Sequence, residues 1–143
     1  MGINYHEADF AEVVLDRTGG AGVNVILDVI GAPYWDQNMR ALALKGRMVI
    51  VGSMGGAVVE QMNIGAISTK RATVRGTQLR SRPLEEKATL VQAFVQRVVP
   101  LFANETIVPV IDRVFPLEEI AAAHAYMESN ANFGKIVIEI GEA

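Results

Sequence analysis

Over residues 9–17, Phe10, Val13 and Val14 recur at helical spacing, and Thr18-Gly19-Gly20-Ala21-Gly22 stops that helix with the glycines favoured beyond a C-terminus. Residues 23–30 then form a nearly continuous apolar run broken by Asn24 and Asp28, which predicts a strand covered on both faces. Pro33 opens a helix through about residue 43, with Trp35, Met39 and Leu42 on its inner side, and Lys45-Gly46 turns the chain into a strand over 48–51. The pattern is a βαβ unit.

Residues 55–70 have no clean period and read as a loop with one helical turn over 64–68. A third strand is predicted over 72–79, ending in the polar turn Arg80-Ser81-Arg82. Pro83-Leu84-Glu85-Glu86 starts a long helix, with proline tolerated in the first turn and two carboxylates facing the positive end of the helix dipole. Ala88, Val91, Val95, Val98 and Phe102 give that helix its expected buried stripe. The same start recurs at Pro116-Leu117-Glu118-Glu119, opening a helix to about residue 129 with Ile120, His124 and Met127 on one face and strands over 110–115 and 135–140 on either side. Sequential strands joined by right-handed crossovers usually neighbour one another, so strands 23–30, 48–51 and 72–79 are expected in that order in one parallel sheet.

Asp28-Val29-Ile30-Gly31 closes the first strand and Gly52-Ser53-Met54-Gly55-Gly56 follows the second. In an open α/β sheet, ligands sit outside the carboxyl ends of the strands, where glycine lets them approach the backbone closely. No Gly-x-Gly-x-x-Gly stands between a strand and a helix anywhere in the sequence. The shelf therefore reads as the second half of a dinucleotide site.

Composition narrows the partners. The chain has 143 residues, half of them hydrophobic, a net charge of −3 and no cysteine. An acidic chain with a pI of about 5.4 lacks the basic stripe of a nucleic-acid binder. No apolar run approaches the roughly 18 residues of a membrane span, and the start lacks a signal peptide, so the expectation is a soluble cytoplasmic protein. His6 and His124 are not at metal-ligand spacing, and His124 reads as a packed histidine. Glu85-Glu86 and Glu118-Glu119 are explained by the helix dipole and not as an acid/base pair. No serine stands in a Gly-x-Ser-x-Gly turn, which removes that form of nucleophilic catalysis.

The ordered set Ile3-Asn4-Tyr5, Asp28-Val29-Ile30-Gly31, Gly46-Arg47-Met48-Val49-Ile50-Val51-Gly52, Arg75-Gly76-Thr77, Pro109-Val110-Ile111-Asp112 and Gly134-Lys135-Ile136-Val137 resembles medium-chain dehydrogenases, specifically the quinone oxidoreductase branch that includes zeta-crystallin. The resemblance covers nearly the whole chain and implies a carboxyl-terminal fragment of a longer protein. It implies an α/β fold, a partial Rossmann-like parallel sheet in three layers that lacks the first strands. Residues 1–107 would be the partial dinucleotide-binding domain, and 108–143 a β-α-β tail that in the family packs on the catalytic domain.

The resemblance also assigns residues. Tyr5 is similar to a tyrosine that reaches the adenosine 2'-phosphate of NADPH; the alternative is a tyrosine on a surface turn. Asp28 to Gly31, with Ile30 and Gly31 as its cofactor-binding residues, resembles the turn beneath the adenine ribose and the nicotinamide ribose, unless Gly31 merely ends a strand. Val51, Gly52 and Ser53 resemble the strand end whose backbone holds the nicotinamide carboxamide, with Thr77 and Leu79 its neighbours in the next strand. Lys135 matches a basic residue near the pyrophosphate, or is simply a solvated lysine opening a strand. Asn130 departs from the family, where some members place an arginine near the 2'-phosphate.

The implied function is hydride transfer from NADPH to a quinone or enone, as in zinc-independent quinone reductases or related alcohol dehydrogenases, by the complete protein. No catalytic residue is assigned in this chain. Affinity for NADP is expected to be weak or absent without the phosphate-binding glycines, whose helix start supplies the pyrophosphate-binding N–H groups. The competing reading is an inert, oligomerising α/β module. Self-association is expected because the edges of strands 23–30 and 72–79 would be unpaired and the tail carries apolar surface.

Overall fold

A computed structural model describes residues 1–141. The last two residues of the 108–143 tail lie outside the described residues. The chain divides into two compact units, Met1–Pro83 and the residues from Leu84 onward, so the helices that follow Pro83 group with the tail.

The first unit begins with α1 (Phe10–Arg17), capped by Asp9, whose carboxylate accepts the amide hydrogens of Ala11 and Glu12 at 2.8 and 3.3 Å. The same carboxylate pairs with Arg40, which holds it below the usual carboxylate range. After the glycine turn come β1 (Val23–Asp28), a 3-10 turn (Ala32–Tyr34), α2 (Trp35–Ala41), β2 (Leu42–Ile50), α3 (Ile64–Lys70) and β3 (Thr73–Gly76). The three strands are parallel and lie in the order β1-β2-β3, as their sequence order predicts.

The βαβ unit differs from expectation at its middle. Helix α2 stops at Ala41, and Leu42 already belongs to β2. The register jumps from Val23 opposite Leu42 to Val25 opposite Arg47, with Lys45 at a φ of 61°. Lys45-Gly46 is therefore a kink inside β2 and not the turn that precedes it. β3 ends at Gly76, although Thr77 N–H still donates to Ile50 O at 2.9 Å.

Trp35, Met39, Leu42 and Met48 form the buried core, with Ile26, Ile50, Ala66, Ile67 and Val74 packed against them. This core covers one face of the sheet. On the other face the ladder sets Val25 beside Arg47 and Thr73, and Leu27 beside Val49 and Arg75. Val25 is 48% exposed and Leu27 70% exposed, so the coverage expected on both faces of strand 23–30 holds for one. An apolar run reports that a strand can be buried twice, not that both covers exist.

Lys70 ties α3 to the end of α2, donating to Arg40 O at 2.8 Å and to Leu42 O. Partial burial pushes the Lys70 ammonium below its ordinary pKa.

The second unit holds α4 (Leu84–Arg97), α5 (Val99–Ala103), β4 (Ile111–Pro116), a 3-10 turn (Leu117–Glu119), α6 (Ile120–Glu128) and β5 (Lys135–Glu139). β4 and β5 are parallel, with Phe115 and Ala123 buried beside them. The single long helix whose expected stripe runs to Phe102 is broken at Val98, because Pro100 has no N–H for the Gln96 carbonyl and its ring crowds that carbonyl. Its expected buried stripe is bare, with Val91 57% and Val95 51% exposed. Arg113 stacks over Tyr126 at 4.1 Å, and Tyr126 donates to Asp112 at 2.8 Å, which raises the Tyr126 pKa.

Candidate functional site

The loops after β1 and β2 are laced together beyond the strands. Val51 and Gly52 N–H donate to Asp28 O at 2.7 and 3.3 Å, Met54 N–H to Val29 O at 3.1 Å, and Gly55 N–H to Ile30 O at 2.9 Å. Ala32 N–H returns a bond to Gly56 O at 2.9 Å, where Gly31 and Gly56 form a parallel bridge. Gly31 has a φ of 89°, and a Cβ there would stand 2.6 Å from Gly56 O, so both dihedral and space exclude a side chain. A shelf two loops wide results.

Asp28 shapes the shelf from beneath. It is 6% exposed, and its Oδ1 accepts Ile30 N–H at 2.8 Å and Gly31 N–H at 3.1 Å, folding the chain back on itself as soon as the strand ends. Beside it opens a cleft of about 310 Å³ lined by Asp28, Gly31, Trp35, Ile50, Ser53 and Met62, among others. A larger cleft of about 740 Å³ shares Trp35 and Met62 but reaches Arg40, Asn63 and Lys70, not the strand ends. Its two cations are already engaged, Arg40 with Asp9 and Lys70 with main-chain carbonyls, so the smaller cleft is the better candidate.

Of the residues assigned from sequence, Ile30, Gly31, Val51, Gly52 and Ser53 lie on this shelf, and Thr77 follows at the end of β3. Leu79 is exposed, two residues further on. The N–H groups of Val51, Gly52 and Thr77 are spent inside the sheet, so these three residues can offer a ligand their carbonyls and not their amide hydrogens. Tyr5 sits in a turn, 61% exposed, with its ring 6.3 Å from Tyr34, just past Gly31. Lys135 lies in the second unit, where its N–H pairs with Val110 O at 2.9 Å.

Sequence reasoning passed over two side chains that position these groups. Asp28 stood in the sequence as a polar break and as the head of the strand-end turn, but its carboxylate was given no role, although an aspartate three residues before a glycine is the signature of a side chain accepting downstream amides. Arg82, in the turn after β3, donates to Thr77 Oγ1 at 2.9 Å and to Gln78 O at 3.1 Å. No local pattern announces that contact.

His124, expected to be packed, is exposed on α6 and borders a small apolar cavity with Ile120, Met127, Ile136 and Ile138. Position 124 sits at the rim of the buried stripe, where spacing alone cannot separate wall from rim. Asn130 has a φ of 54° where the chain leaves α6, a conformation that asparagine tolerates better than arginine. Among the described residues no three His, Cys, Asp or Glu side chains converge as metal ligands. Nor is any helix long and apolar enough to cross a membrane.

Comparison with known proteins agrees with this geometry. A 2-haloacrylate reductase from Burkholderia sp is 33% identical over 95% of the chain and 40% of its own length. Quinone oxidoreductase 1 of Escherichia coli strain K12 is 28% identical over 95% of the chain and 42% of its length. The crystal structure of an NAD-dependent alcohol dehydrogenase superposes on 97% of this chain and 37% of its own with a TM-score of 0.74 and 26% identity. The chain spans about two-fifths of the length of the curated relatives it matches. The family model for zinc-binding dehydrogenase matches residues 1–138, and the chain belongs to that family.

Proposed function

We propose that this chain forms the nicotinamide-side wall of the cofactor cleft in an NAD(P)H-dependent oxidoreductase acting on a quinone or enone. The observation that carries the reading is the shelf itself, where ends of adjacent parallel strands are joined by glycine-rich loops. A Cβ at Gly52 would stand 3.2 Å from Val29 O, so glycine here lets the two loops pack against each other and keep the shelf's shape. When bound, the nicotinamide supplies the hydride, and the protein supplies orientation. Asp28 holds the Gly31 turn, Arg82 holds Thr77, and the carbonyls of Val51 and Thr77 are fixed by the sheet for the carboxamide. Tyr5 is assigned to the adenosine phosphate, and NADPH is the proposed cofactor.

The test is NADPH titration of the 143-residue chain, followed by thermal shift or calorimetry. Weak, saturable binding that is lost in a folded Gly52→Val variant is the expected result. A folded chain that shows no binding at millimolar NADPH, or binds equally well after Gly52→Val, would remove the shelf from the cofactor site. The exposed apolar face of the three-stranded sheet favours a second reading, an oligomerising module without turnover, and that reading predicts no NADPH effect.

A further inference from the structure

We infer that Arg82 is a positioning residue for the cofactor's carboxamide, acting through the segment after β3 to aim Leu79 N–H at the carboxamide oxygen. The inference rests on the cofactor reading above. A carboxamide brings an amino donor and a carbonyl acceptor, and the N–H groups of Val51, Gly52 and Thr77 are spent inside the sheet, so its oxygen needs a donor from elsewhere. Leu79 N–H donates to no partner among the described residues. It stands two residues beyond the last bond to the sheet, from Thr77 N–H to Ile50 O.

Past that bond the sheet no longer fixes the chain. Arg82 does so instead, with three donors on three successive residues: Nη2 to Thr77 Oγ1 at 2.9 Å, Nε to Gln78 O at 3.1 Å, and its main-chain N–H to Leu79 O at 3.3 Å. The bond to Gln78 O sets the direction of the next amide. In a planar trans peptide the carbonyl oxygen and the amide hydrogen point opposite ways, so holding Gln78 O toward the guanidinium directs Leu79 N–H away from it. Ser81 Oγ, which donates to Gln78 Oε1 at 2.7 Å, steadies the same residue. A guanidinium suits this task because Nε and Nη2 share one rigid plane and engage two acceptors at once, whereas a lysine ammonium is a single point on a flexible stem. All of these contacts are local to residues 77–82.

Amide chemical shifts of the 143-residue chain, followed by nuclear magnetic resonance during NADPH titration, test the role. In the wild type the Leu79 amide should move together with those of Gly31 and Ser53. In Arg82→Met the dissociation constant should rise about fivefold, as for the loss of one hydrogen bond, and the Leu79 response should vanish while Gly31 and Ser53 still respond. A general loosening of the fold would instead weaken all three responses together. Arg82→Lys should behave like Arg82→Met, and Thr77→Val, which keeps the arginine but removes one acceptor, should weaken the Leu79 response in part. Adding Thr77→Val to Arg82→Met should cost nothing further. A wild type in which Gly31 and Ser53 respond and Leu79 does not would overturn the inference and leave the cofactor reading standing. So would a wild-type Leu79 response in Arg82→Met or, should that variant not fold, in Thr77→Val. If none of the three amides responds, the cofactor reading fails and the role of Arg82 falls with it.

Discussion

At the scale of single residues, the shelf depends on positions where backbone conformation leaves no choice. Gly31 combines a positive φ with a backbone oxygen 2.6 Å from where a Cβ would stand. A strained dihedral of this kind costs about 1 to 3 kcal/mol by itself, and the contact with Gly56 adds to it. Gly31→Ala is therefore expected to lower unfolding free energy by about 2 kcal/mol or more, measured by urea denaturation, with loss of amide-exchange protection at Ala32 and Gly56. The glycine was visible in the sequence, and so was its place at a strand end. Its partner was not, because Gly56 is 25 residues away and only the pairing of two loops brings it there.

At the scale of elements, helix ends were legible where their chemistry is local and illegible where it is borrowed. Asp9 caps α1 from within its own turn, and the glycines after Arg17 end the helix by their own freedom. Helix α2 is different, since its last carbonyls are satisfied by Lys70, 30 residues on from Arg40. A charged donor to a carbonyl contributes about 1.5 to 3 kcal/mol, less where it is solvated. Lys70→Met should cost about 1 to 2 kcal/mol in chemical denaturation and loosen α2 and α3 together, seen as faster amide exchange in both. Pro100 shows the reverse failing: the stop signal for α4 stood in the sequence, but the helical spacing of Val91, Val95, Val98 and Phe102 ran through it.

At the scale of the whole molecule, the prediction concerns turnover. Hydride transfer needs donor and acceptor held within roughly 3 to 3.5 Å, and in the proposed reading the shelf would form one wall of such a cleft. The 143-residue chain by itself is expected to show no NADPH oxidation with a quinone above the uncatalysed rate; steady turnover abolished by Gly52→Val would overturn that expectation. What the sequence determined by itself was whatever rests on neighbours along the chain: the strand and helix periods, the parallel order β1-β2-β3 that follows from short crossovers, and the glycines at the strand ends. Tertiary structure decided which apolar faces are covered, leaving Leu27 and Val91 exposed although their spacing matches that of buried residues. It also decided that Asp28 turns inward and that Arg82 reaches Thr77. The physical reason is that periodicity records how side chains are distributed around an element, whereas burial and hydrogen-bond partners depend on what another part of the chain brings against it.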